Sequence, residues 1–333
     1  MSFFFSIIVP VYNRPDEVEE LLASLYAQEG SAKFEVIIVE DGSTKPCKDI
    51  VQRYSDKLQI RYFTKPNTGR SDTRNVGMKE AKGDYFIFFD SDCIITPHYF
   101  QRLEQNLTTN YSDCFGGPDA AHESFSSIQK AISYVMTAFL TTGGIRGGKK
   151  QMEKFKPRTF NMGFSRKVYE TTGGFNDMFG EDIDLVLRIQ KAGFSIVLYR
   201  DVYVYHKRRV SFKKFFKQVY IFGTARINLA LIHKGSLKAV HTLPALFLLG
   251  GVCFTILAIF ISPLFLLPIG LYTLLIFIDA LIKTKNIRTT LQAVIAAYIQ
   301  IIGYGWGFIR SFVEKIVFRK ELESSDTLKR VYK

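Results

Sequence analysis

The 333-residue chain is poor in cysteine, proline and tryptophan, and it lacks several common cofactor motifs. Its cysteines show no C-x-x-C pair and no zinc-ligand spacing, which argues against a disulfide scaffold and fits a reducing compartment; they are Cys47, Cys93, Cys114 and Cys253. No G-x-G-x-x-G follows the first apolar run and no Walker A motif occurs, so a Rossmann dehydrogenase and a P-loop enzyme are excluded. Ten prolines and 24 glycines are too few for a collagen-like chain.

Acidic residues are absent from one stretch of the chain, and this locates the net charge of +13. Residues 1–206 are nearly neutral, whereas residues 207–238 contain nine Lys or Arg and no Asp or Glu. The excess therefore lies directly before the apolar part of the chain, where polybasic segments meet anionic lipid headgroups. We expect residues 207–238 to form a basic amphipathic interfacial segment, with membrane lipids and no nucleic acid as partners.

Long uncharged runs fill the C-terminal third. Residues 239–278 contain no Lys, Arg, Asp or Glu, which at ~1.5 Å per residue allows two crossings of a ~30 Å hydrocarbon core. With Ser262 and Pro263 at the turn, we expect a transmembrane helical hairpin over residues 239–282. A third segment, residues 289–313, is a transmembrane or an interfacial helix, and its glutamines and glycines favour the interface.

The basic residues Lys283, Lys285 and Arg288 lie between the second and third apolar runs and indicate a cytoplasmic loop. We therefore expect the N-terminal domain, residues 1–206, and a tail at residues 314–333 to be cytoplasmic, on the inner membrane of the cell. Residues 3–11 are apolar, but they are too short for a signal peptide and have no basic leader. They are expected to form a buried strand.

The first 110 residues alternate between β-rich apolar runs and helical patterns. The runs predict strands at residues 3–11, 34–39, 58–63 and 85–89, and helices at residues 15–28, 46–54 and 71–81. This alternation predicts an α/β fold with a mostly parallel sheet and helices on both faces. Ligands bind beyond the carboxyl ends of such strands. The polar segments that follow them, residues 10–13, 40–43 and 90–92, should converge on one rim.

The second half of the N-terminal domain is less regular. We expect helices over residues 124–142 and from Glu181 onward, a mobile glycine-rich loop over residues 143–150, and strands over residues 158–166 and 195–206. Residues 209–233 are basic and aromatic with an apolar stripe, which predicts an in-plane amphipathic helix.

Asp90, Ser91 and Asp92 follow an apolar strand and could form a cation site. Two carboxylates two residues apart can aim at one point beyond the sheet edge. Mg²⁺ and Mn²⁺ take oxygen ligands and bridge to substrate phosphates. Taken alone, these residues fit a solvated turn or a helix cap equally well, because Asp and Ser both favour caps.

Five motifs occur in order between residues 5 and 206. They are Ile8-Val9-Pro10-Val11-Tyr12-Asn13, Val39-Glu40-Asp41-Gly42-Ser43, Asn67-Thr68-Gly69 with Arg74-Asn75-Val76-Gly77, Asp90-Ser91-Asp92, and Gly180-Glu181-Asp182-Ile183-Asp184-Leu185. Their order and spacing closely resemble the inverting family-2 glycosyltransferases of the GT-A fold. The resemblance implies a Rossmann-like GT-A domain, followed here by C-terminal amphipathic and transmembrane helices. The family often has Asp where this chain has Glu40, at a tolerant position.

The resemblance also implies a site for a nucleotide-sugar donor. Asp41 would accept a hydrogen bond from the uracil ring, and Arg74 would contact the base beside it. Pro10, Tyr12 and Asn13 would line the nucleotide pocket.

By the same resemblance, Asp90 would hold the ribose hydroxyls, with Ser91 in the same donor site. Asp92 would ligate the Mn²⁺ or Mg²⁺ that bridges the diphosphate, and the cation would neutralise the charge that develops on the leaving group. His206 would be either a second metal ligand or a satisfied structural histidine.

On the acceptor side, the resemblance makes Asp182 the base that deprotonates the attacking hydroxyl, with Glu181 helping to position the acceptor. A single in-line displacement with the base opposite the diphosphate inverts the anomeric centre. Ordinary capping by acidic residues at a helix N-terminus is the alternative. Asp184 points about 200° around the helix from Asp182, so it should support a neighbouring loop. Asn161 is expected to contact the acceptor.

These expectations describe a membrane-anchored, metal-dependent inverting glycosyltransferase. It would move a sugar from a nucleotide diphosphate, UDP by preference, to a hydroxyl of a lipid-linked or polysaccharide acceptor in cell-surface glycan synthesis. One alternative is transfer to polyprenyl phosphate, although an ionised phosphate needs no base. Another is an inactive membrane scaffold, although degenerate copies usually lose the carboxylates that this chain retains.

Overall fold

A computed structural model of the chain describes residues 3–143 and 155–320. Within them the chain forms two compact units. The α/β unit comprises Met1–His122 and Phe155–Lys207, and the helical unit comprises Glu123–Lys154 and Arg208–Lys333. The glycine-rich loop predicted at residues 143–150 lies outside the described residues beyond Gly143, as does most of the predicted tail at residues 314–333.

The strands of the described chain are short after the first three. They are β1 Phe4–Val11, β2 Lys33–Asp41, β3 Ile60–Lys65, β4 Tyr85–Phe88, β5 Cys93–Ile95, β6 Cys114–Gly116, β7 Asp119–Ala120, β8 Met162–Ser165, β9 Ile196–Leu198 and β10 Val204–His206.

The helices lengthen toward the C-terminus. They are α1 Pro15–Tyr26, α2 Lys48–Tyr54, α3 Arg70–Glu80, α4 Tyr99–Thr109, α5 Ser127–Thr137, α6 Phe139–Thr142, α7 Arg166–Thr172, α8 Glu181–Lys191, α9 Phe212–Ile232, α10 Ala239–Phe260, α11 Leu267–Thr284 and α12 Ile287–Phe312. A 3₁₀ turn, Pro263–Leu266, joins α10 to α11, and a π turn, Val313–Val317, follows α12.

The central sheet of the α/β unit has the strand order β3-β2-β1-β4-β8-β6-β9 among the described residues. β1, β2, β3 and β4 are parallel neighbours, which confirms the predicted α/β class with a mainly parallel sheet. β8 is antiparallel to both β4 and β6. A smaller sheet has the order β5-β10-β7.

The sheet is covered on both faces because its strands are apolar on both faces. Alternate residues of a strand point to opposite sides, so Ile7 and Val9 of β1 join one buried cluster while Ile8 joins the other. Helices α1, α2 and α4 complete the first cluster, and α3, α7 and α8 complete the second. Each fully buried Ile or Val contributes about 1.5–3 kcal/mol relative to exposure.

Two predicted strands are shorter or divided in the structure. The strand predicted at residues 195–206 is β9 and β10 in different sheets, because the segment between them bends back to α4, where Arg102 and Asn106 donate to Asp201. The strand predicted at residues 158–166 is only Met162–Ser165, since α7 begins at Arg166.

The helix predicted at residues 124–142 is also divided. Its backbone becomes extended at Ala138, between α5 and α6. The hydroxyls of Thr141 and Thr142 both donate to the carbonyl of Ala138, and Thr137 donates to Ser133. Threonine hydroxyls that bond local carbonyls in this way compete with the regular helix ladder.

The described part of the helical unit contains three helices long and apolar enough to cross a membrane: α10, α11 with its preceding turn, and α12 with its following turn. α10 and α11 are exposed along most of their length, whereas nearly half of the apolar window of α12 is buried. α9, which fulfils the prediction of a helix at residues 209–233, packs closely on α12. A Cβ on Gly307 would lie only 2.2 Å from the carbonyl oxygen of Tyr220.

Candidate active site

Polar segments follow β1, β2 and β4 at the same edge of the parallel sheet. The loops after β1 and β2 are tied together at Asn13, whose side-chain oxygen accepts from the backbone N–H of Lys45 at 2.9 Å. The backbone N–H of Asn13 donates to Ser43 Oγ at 2.8 Å, and Asn13 has a left-handed φ of 54°. Pro10 is half-buried and Tyr12 is exposed beside this junction. The predicted convergence of the loops is therefore present.

Asp41 is buried at the end of β2 and is held by the start of α3. Its carboxylate accepts from the backbone N–H groups of Thr68 and Gly69, each at 3.0 Å, and from Lys65 Nζ at 2.5 Å. Oδ1 takes two of these bonds and Oδ2 takes one. Because a carboxylate oxygen has two lone pairs, Oδ2 retains one direction in which to accept a ligand N–H.

Gly42 allows the loop after β2 to lie close to the loop after β3. Its φ is 67°, and a Cβ at this position would lie 2.7 Å from the backbone nitrogen of Asn67. A larger residue would push the loop after β3 away from Asp41.

Arg74 on α3 joins two acidic groups that lie far apart in the sequence. Its Nη2 lies 2.7 Å from Asp90 Oδ1, and its Nη1 lies 3.1 Å from Glu181 Oε1. The guanidinium also stacks over the ring of Phe175 at 5.5 Å. The segment after β4 and the start of α8 thus meet at one buried arginine.

The two predicted acceptor-side acids at the start of α8 have different surroundings. Glu181 is 3% exposed and binds both Arg74 and Arg70, and this carboxylate raises the pKa of Arg70. Asp182 is partly exposed, with Oδ2 at 3.6 Å from Arg158 Nη1. Glu181 holds these two arginines in place, and its expected help in positioning the acceptor stays a prediction.

Asp184 and Asn161 are both buried by structural contacts. Asp184 accepts from Asn176 and from Arg188 on its own helix, so it supports the neighbouring loop as expected. Asn161 has no exposed surface. Its amide accepts from Tyr99 Oη at 2.6 Å and donates to the Val202 carbonyl at 2.9 Å. Asn161 thus makes structural contacts on all sides, and its predicted contact with the acceptor stays a prediction.

Asp92 and His206 face each other across the small sheet. The antiparallel register of β5 and β10 sets His206 opposite Cys93, the residue after Asp92. Asp92 Oδ1 lies 3.2 Å from His206 Nε2, and ligand atoms of Asp92, Cys93 and His206 lie within 4.8 Å of one another. Ser91 is partly exposed between Asp90 and Asp92.

The donor set at this cluster fits a hard divalent cation. A carboxylate oxygen and an imidazole nitrogen are both ligands for Mn²⁺, while Cys93 Sγ donates to the carbonyl of Phe160 at 3.4 Å. The His206 ring stacks on Phe160 at 4.7 Å between ring centroids, which helps to orient the ring, and its Nδ1 lies 4.0 Å from Asp119 Oδ2.

Three cations at the site were not identified from the sequence. Lys65 ends β3 at the same sheet edge as Asp41, so the strand-end rule could have found it. Arg70 lies one turn before Arg74 on α3, and i,i+4 spacing could have found it. Arg158 carries no comparable signal, because it lies outside regular structure.

Comparisons with known proteins agree with this architecture. The sequence matches the Glycosyl transferase family 2 over residues 6–173. Glycosyltransferase AglE of Haloferax volcanii is 26% identical over 265 residues, which cover 74% of this chain and 81% of that protein. The poly(ribitol-phosphate) beta-N-acetylglucosaminyltransferase TarS of Staphylococcus aureus is 35% identical over 112 residues, which cover 33% of this chain and 20% of that protein.

The fold is similar to that of a solved mannosyltransferase, PcManGT from Pyrobaculum calidifontis, in complex with GDP-Man and Mn²⁺. The TM-score is 0.64 at 17% identity, and the match covers 91% of this chain and 88% of that one. This likeness supports the GT-A fold predicted from the sequence motifs. The chain belongs to glycosyltransferase family 2 and is a glycosyltransferase.

Proposed function

We propose that the protein is a membrane-anchored, metal-dependent inverting glycosyltransferase that uses a nucleotide diphosphate sugar. The proposal rests on the two ion pairs of Arg74. This arginine binds Asp90 on the predicted donor side and Glu181 beside the predicted catalytic base Asp182. An arginine shared in this way brings the donor and acceptor halves of a transferase site together.

On the donor side, the free acceptor direction at Asp41 Oδ2 suits the N3–H of uracil, and we therefore favour UDP as the nucleotide. Pro10, Tyr12 and Asn13 would line the same pocket, with Asp90 and Ser91 toward the ribose. The proposed contact of Arg74 with the uracil base requires the Arg74 side chain to rearrange, because both of its terminal nitrogens bind carboxylates in the structure.

Asp92 and His206 would hold Mn²⁺ or Mg²⁺. When bound, the cation supplies neutralisation of the charge on the departing diphosphate. The similar mannosyltransferase from Pyrobaculum calidifontis was solved with Mn²⁺, which is consistent with this proposal.

Asp182 is the proposed base because it is the more accessible of the two acids at the start of α8. Its Oδ1 accepts the backbone N–H of Ile183 at 2.8 Å, which fixes the carboxylate at the helix N-terminus. Oδ2 is left to accept the proton of an acceptor hydroxyl, while Arg158 lies alongside.

For the membrane, we assign the two crossings to α10 and α11, and α12 is a third transmembrane or an interfacial helix. Thr290 near the start of α12 bonds Thr284 at the end of α11, and Tyr298 Oη lies 2.5 Å from Thr273 Oγ1 partway along α11. Gly305 lies against Pro244 near the start of α10, so α12 contacts both helices of the hairpin. The basic residues of α9 and of the α11–α12 loop favour the cytoplasmic face of the inner membrane.

The acceptor that fits these features is a hydroxyl of a lipid-linked or polysaccharide saccharide in cell-surface glycan synthesis. To test the proposal, membranes containing the protein are incubated with labelled UDP-sugars, Mn²⁺ and lipid extract. We expect transfer by the wild type and a loss of about 10²–10⁴-fold in Asp182→Asn, the usual contribution of a general base. The exposed control Asp56→Asn should transfer like the wild type. Equal transfer by Asp182→Asn and the wild type would refute the assignment.

Transfer to polyprenyl phosphate is the second candidate, and Arg158 favours it. Its guanidinium lies beside Asp182 and its side chain is 17% exposed, so an anionic acceptor oxygen could be bound there. Mild acid would then release the labelled product as a monosaccharide with one phosphate. An inactive scaffold would give neither transfer nor Mn²⁺-dependent binding of UDP.

A further inference from the structure

Residues 123–143, which lie between β7 and β8, belong to the helical unit, although the strands on either side belong to the α/β unit. Within this segment, α5 and α6 carry no charged residue from Ala131 to Thr142. An uncharged stretch inserted between two strands of a soluble domain is unusual, because connecting segments normally run over the wet surface and are polar.

The inner face of α5 packs against helices assigned to the membrane. Ala131, Ile132 and Val135 are fully buried in one cluster with Ile276 and Ala280 of α11. The same cluster includes alanines of α12. α5 and α11 therefore pack against each other through apolar side chains.

Three polar contacts set the position of the segment along α11 and α12. Tyr134 Oη donates to Asp279 Oδ2 at 2.6 Å near the end of α11. Further along, Tyr272 Oη donates to the carbonyl of Leu140 at 3.4 Å, and Gln300 Nε2 donates to the carbonyl of Thr141 at 2.9 Å. The segment therefore runs along α11 from its end toward its middle.

The contact at Tyr272 gives a depth. Tyr272 lies twelve residues before Thr284, where α11 ends, and a rise of 1.5 Å per residue makes this about 18 Å. The hydrocarbon core is about 30 Å thick. If α11 crosses the membrane from a surface near Thr284, α6 lies beneath that surface, within the apolar layer.

The outer face and the backbone of α6 suit that environment. Phe139 and Leu140 are 46% and 38% exposed, and exposed leucines of α11, Leu271 and Leu275, lie on either side of the Tyr272 contact. Hydroxyls of Thr141 and Thr142 donate to the carbonyls of Val135 and Ala138, where the helix breaks. Polar backbone groups in lipid must be satisfied internally, and these bonds do so at the break.

We infer that α5 and α6 form a membrane-dipping segment in which Phe139 and Leu140 contact acyl chains in the leaflet on the side of the α11–α12 loop. The inference rests on the proposed membrane anchoring by α10 and α11. It adds a second attachment, which comes from within the transferase sequence itself and not from the C-terminal helices.

The single tryptophan of the chain makes a direct test possible. In a Trp306→Phe background, one tryptophan is introduced at Phe139, at Leu140, at Leu249 as the hairpin reference, or at Tyr111 as the aqueous control. Leu249 and Tyr111 are both exposed, on α10 and in the α/β unit. Each full-length variant is reconstituted in phosphatidylcholine–phosphatidylglycerol vesicles, with and without lipids brominated midway along the acyl chain, and is then titrated with iodide.

We expect tryptophan at 139 and at 140 to be quenched by brominated lipid to the same extent as at 249, and to be protected from iodide. Tryptophan at 111 should be quenched by iodide alone. If 139 and 140 behave like 111 while 249 is quenched by lipid, the dipping segment is refuted and the anchor stands. If 249 also behaves like 111, both the anchor and the dipping segment are refuted.

Discussion

Arg74 connects the two halves of the candidate site at the level of single residues. Its guanidinium is 3% exposed, as is the Glu181 carboxylate that it binds, so both charges have lost most of their water. Removing one partner of a buried ion pair leaves the other charge uncompensated and usually costs about 3–5 kcal/mol. The pair therefore constrains the position of α8 relative to α3.

Glu181→Gln is expected to act mainly on stability. The neutral amide keeps the shape of the side chain but removes the negative charge that Arg70 and Arg74 share, which leaves Asp90 as the carboxylate partner of Arg74, so the midpoint of thermal unfolding should fall by several degrees. Donor binding should weaken as well, because Arg74 also holds Asp90. The exposed control Glu170→Gln should unfold at the wild-type temperature. An unchanged midpoint for Glu181→Gln, measured by circular dichroism, would show that the buried pair contributes little.

The positions of residues that follow strands can be predicted from the sequence, whereas the contacts of buried polar residues cannot. Asp41, Asp90 and Asp92 end or follow parallel strands, so one periodicity rule brings them to one edge. Glu181 and Asn161 were assigned to the acceptor, but burial by partners distant in sequence gives them structural contacts. Spacing along the chain does not report such partners.

At the level of elements, α9 and α12 are held together by glycines. Gly223 and Gly307 lie so close to the partner backbone that a Cβ on either would be 2.2 Å from a carbonyl oxygen. Thr224 Oγ1 donates to the Gly307 carbonyl at 3.4 Å across the same contact. Small residues that allow close backbone approach are a common basis for helix association in membranes.

Gly307→Leu should separate α9 from α12. The added side chain would have to displace the backbone of Tyr220, and backbone cannot move as a flexible side chain can. We expect a lower thermal midpoint and a lower yield of folded protein in detergent. Gly250→Leu is the matched control, because nothing lies within 4 Å of a Cβ there. If the two variants have the same midpoint, the close contact does not stabilise the helix pair.

Elements with strong periodicity were predicted within a few residues, and elements broken by local side-chain bonds were not. β1 to β4 and α1 to α3 agree with their apolar patterns, because burial on both faces leaves a clear signal. The predicted helix at residues 124–142 breaks at Ala138, where threonine hydroxyls bond carbonyls. The strand predicted at residues 195–206 divides at a loop anchored by Asp201. The residue composition of these segments indicates neither the break in the helix nor the division of the strand.

At the level of the whole molecule, a transferase unit and an apolar helical unit share one chain. The exposed surfaces of α10 and α11 consist largely of leucine, isoleucine and phenylalanine, which is the surface expected of helices that cross a membrane. Because α5 and α6 interrupt the α/β unit, the chain passes from one unit to the other more than once.

The full chain is expected to stay in the membrane pellet after extraction with alkaline carbonate. Replacing Leu249 and Val252, both exposed on α10, with lysine should release part of it, because each charge near a helix centre costs about 2.5–3.5 kcal/mol for insertion. Lysine at the exposed residues Tyr26 and Tyr111 of the α/β unit should leave the pellet unchanged. Release of the wild-type chain by carbonate would contradict membrane anchoring.

In the proposed function, distant acidic residues serve one pocket with separate tasks, and the sharpest test of this is titration calorimetry of UDP binding with and without Mn²⁺. We expect the wild type and Asp182→Asn to bind UDP more tightly with Mn²⁺, and Asp92→Asn to lose that dependence on the metal. Asp182→Asn should at the same time be unable to transfer sugar. Mn²⁺-dependent binding that survives in Asp92→Asn, or that disappears in Asp182→Asn alone, would contradict the assignment of these two carboxylates.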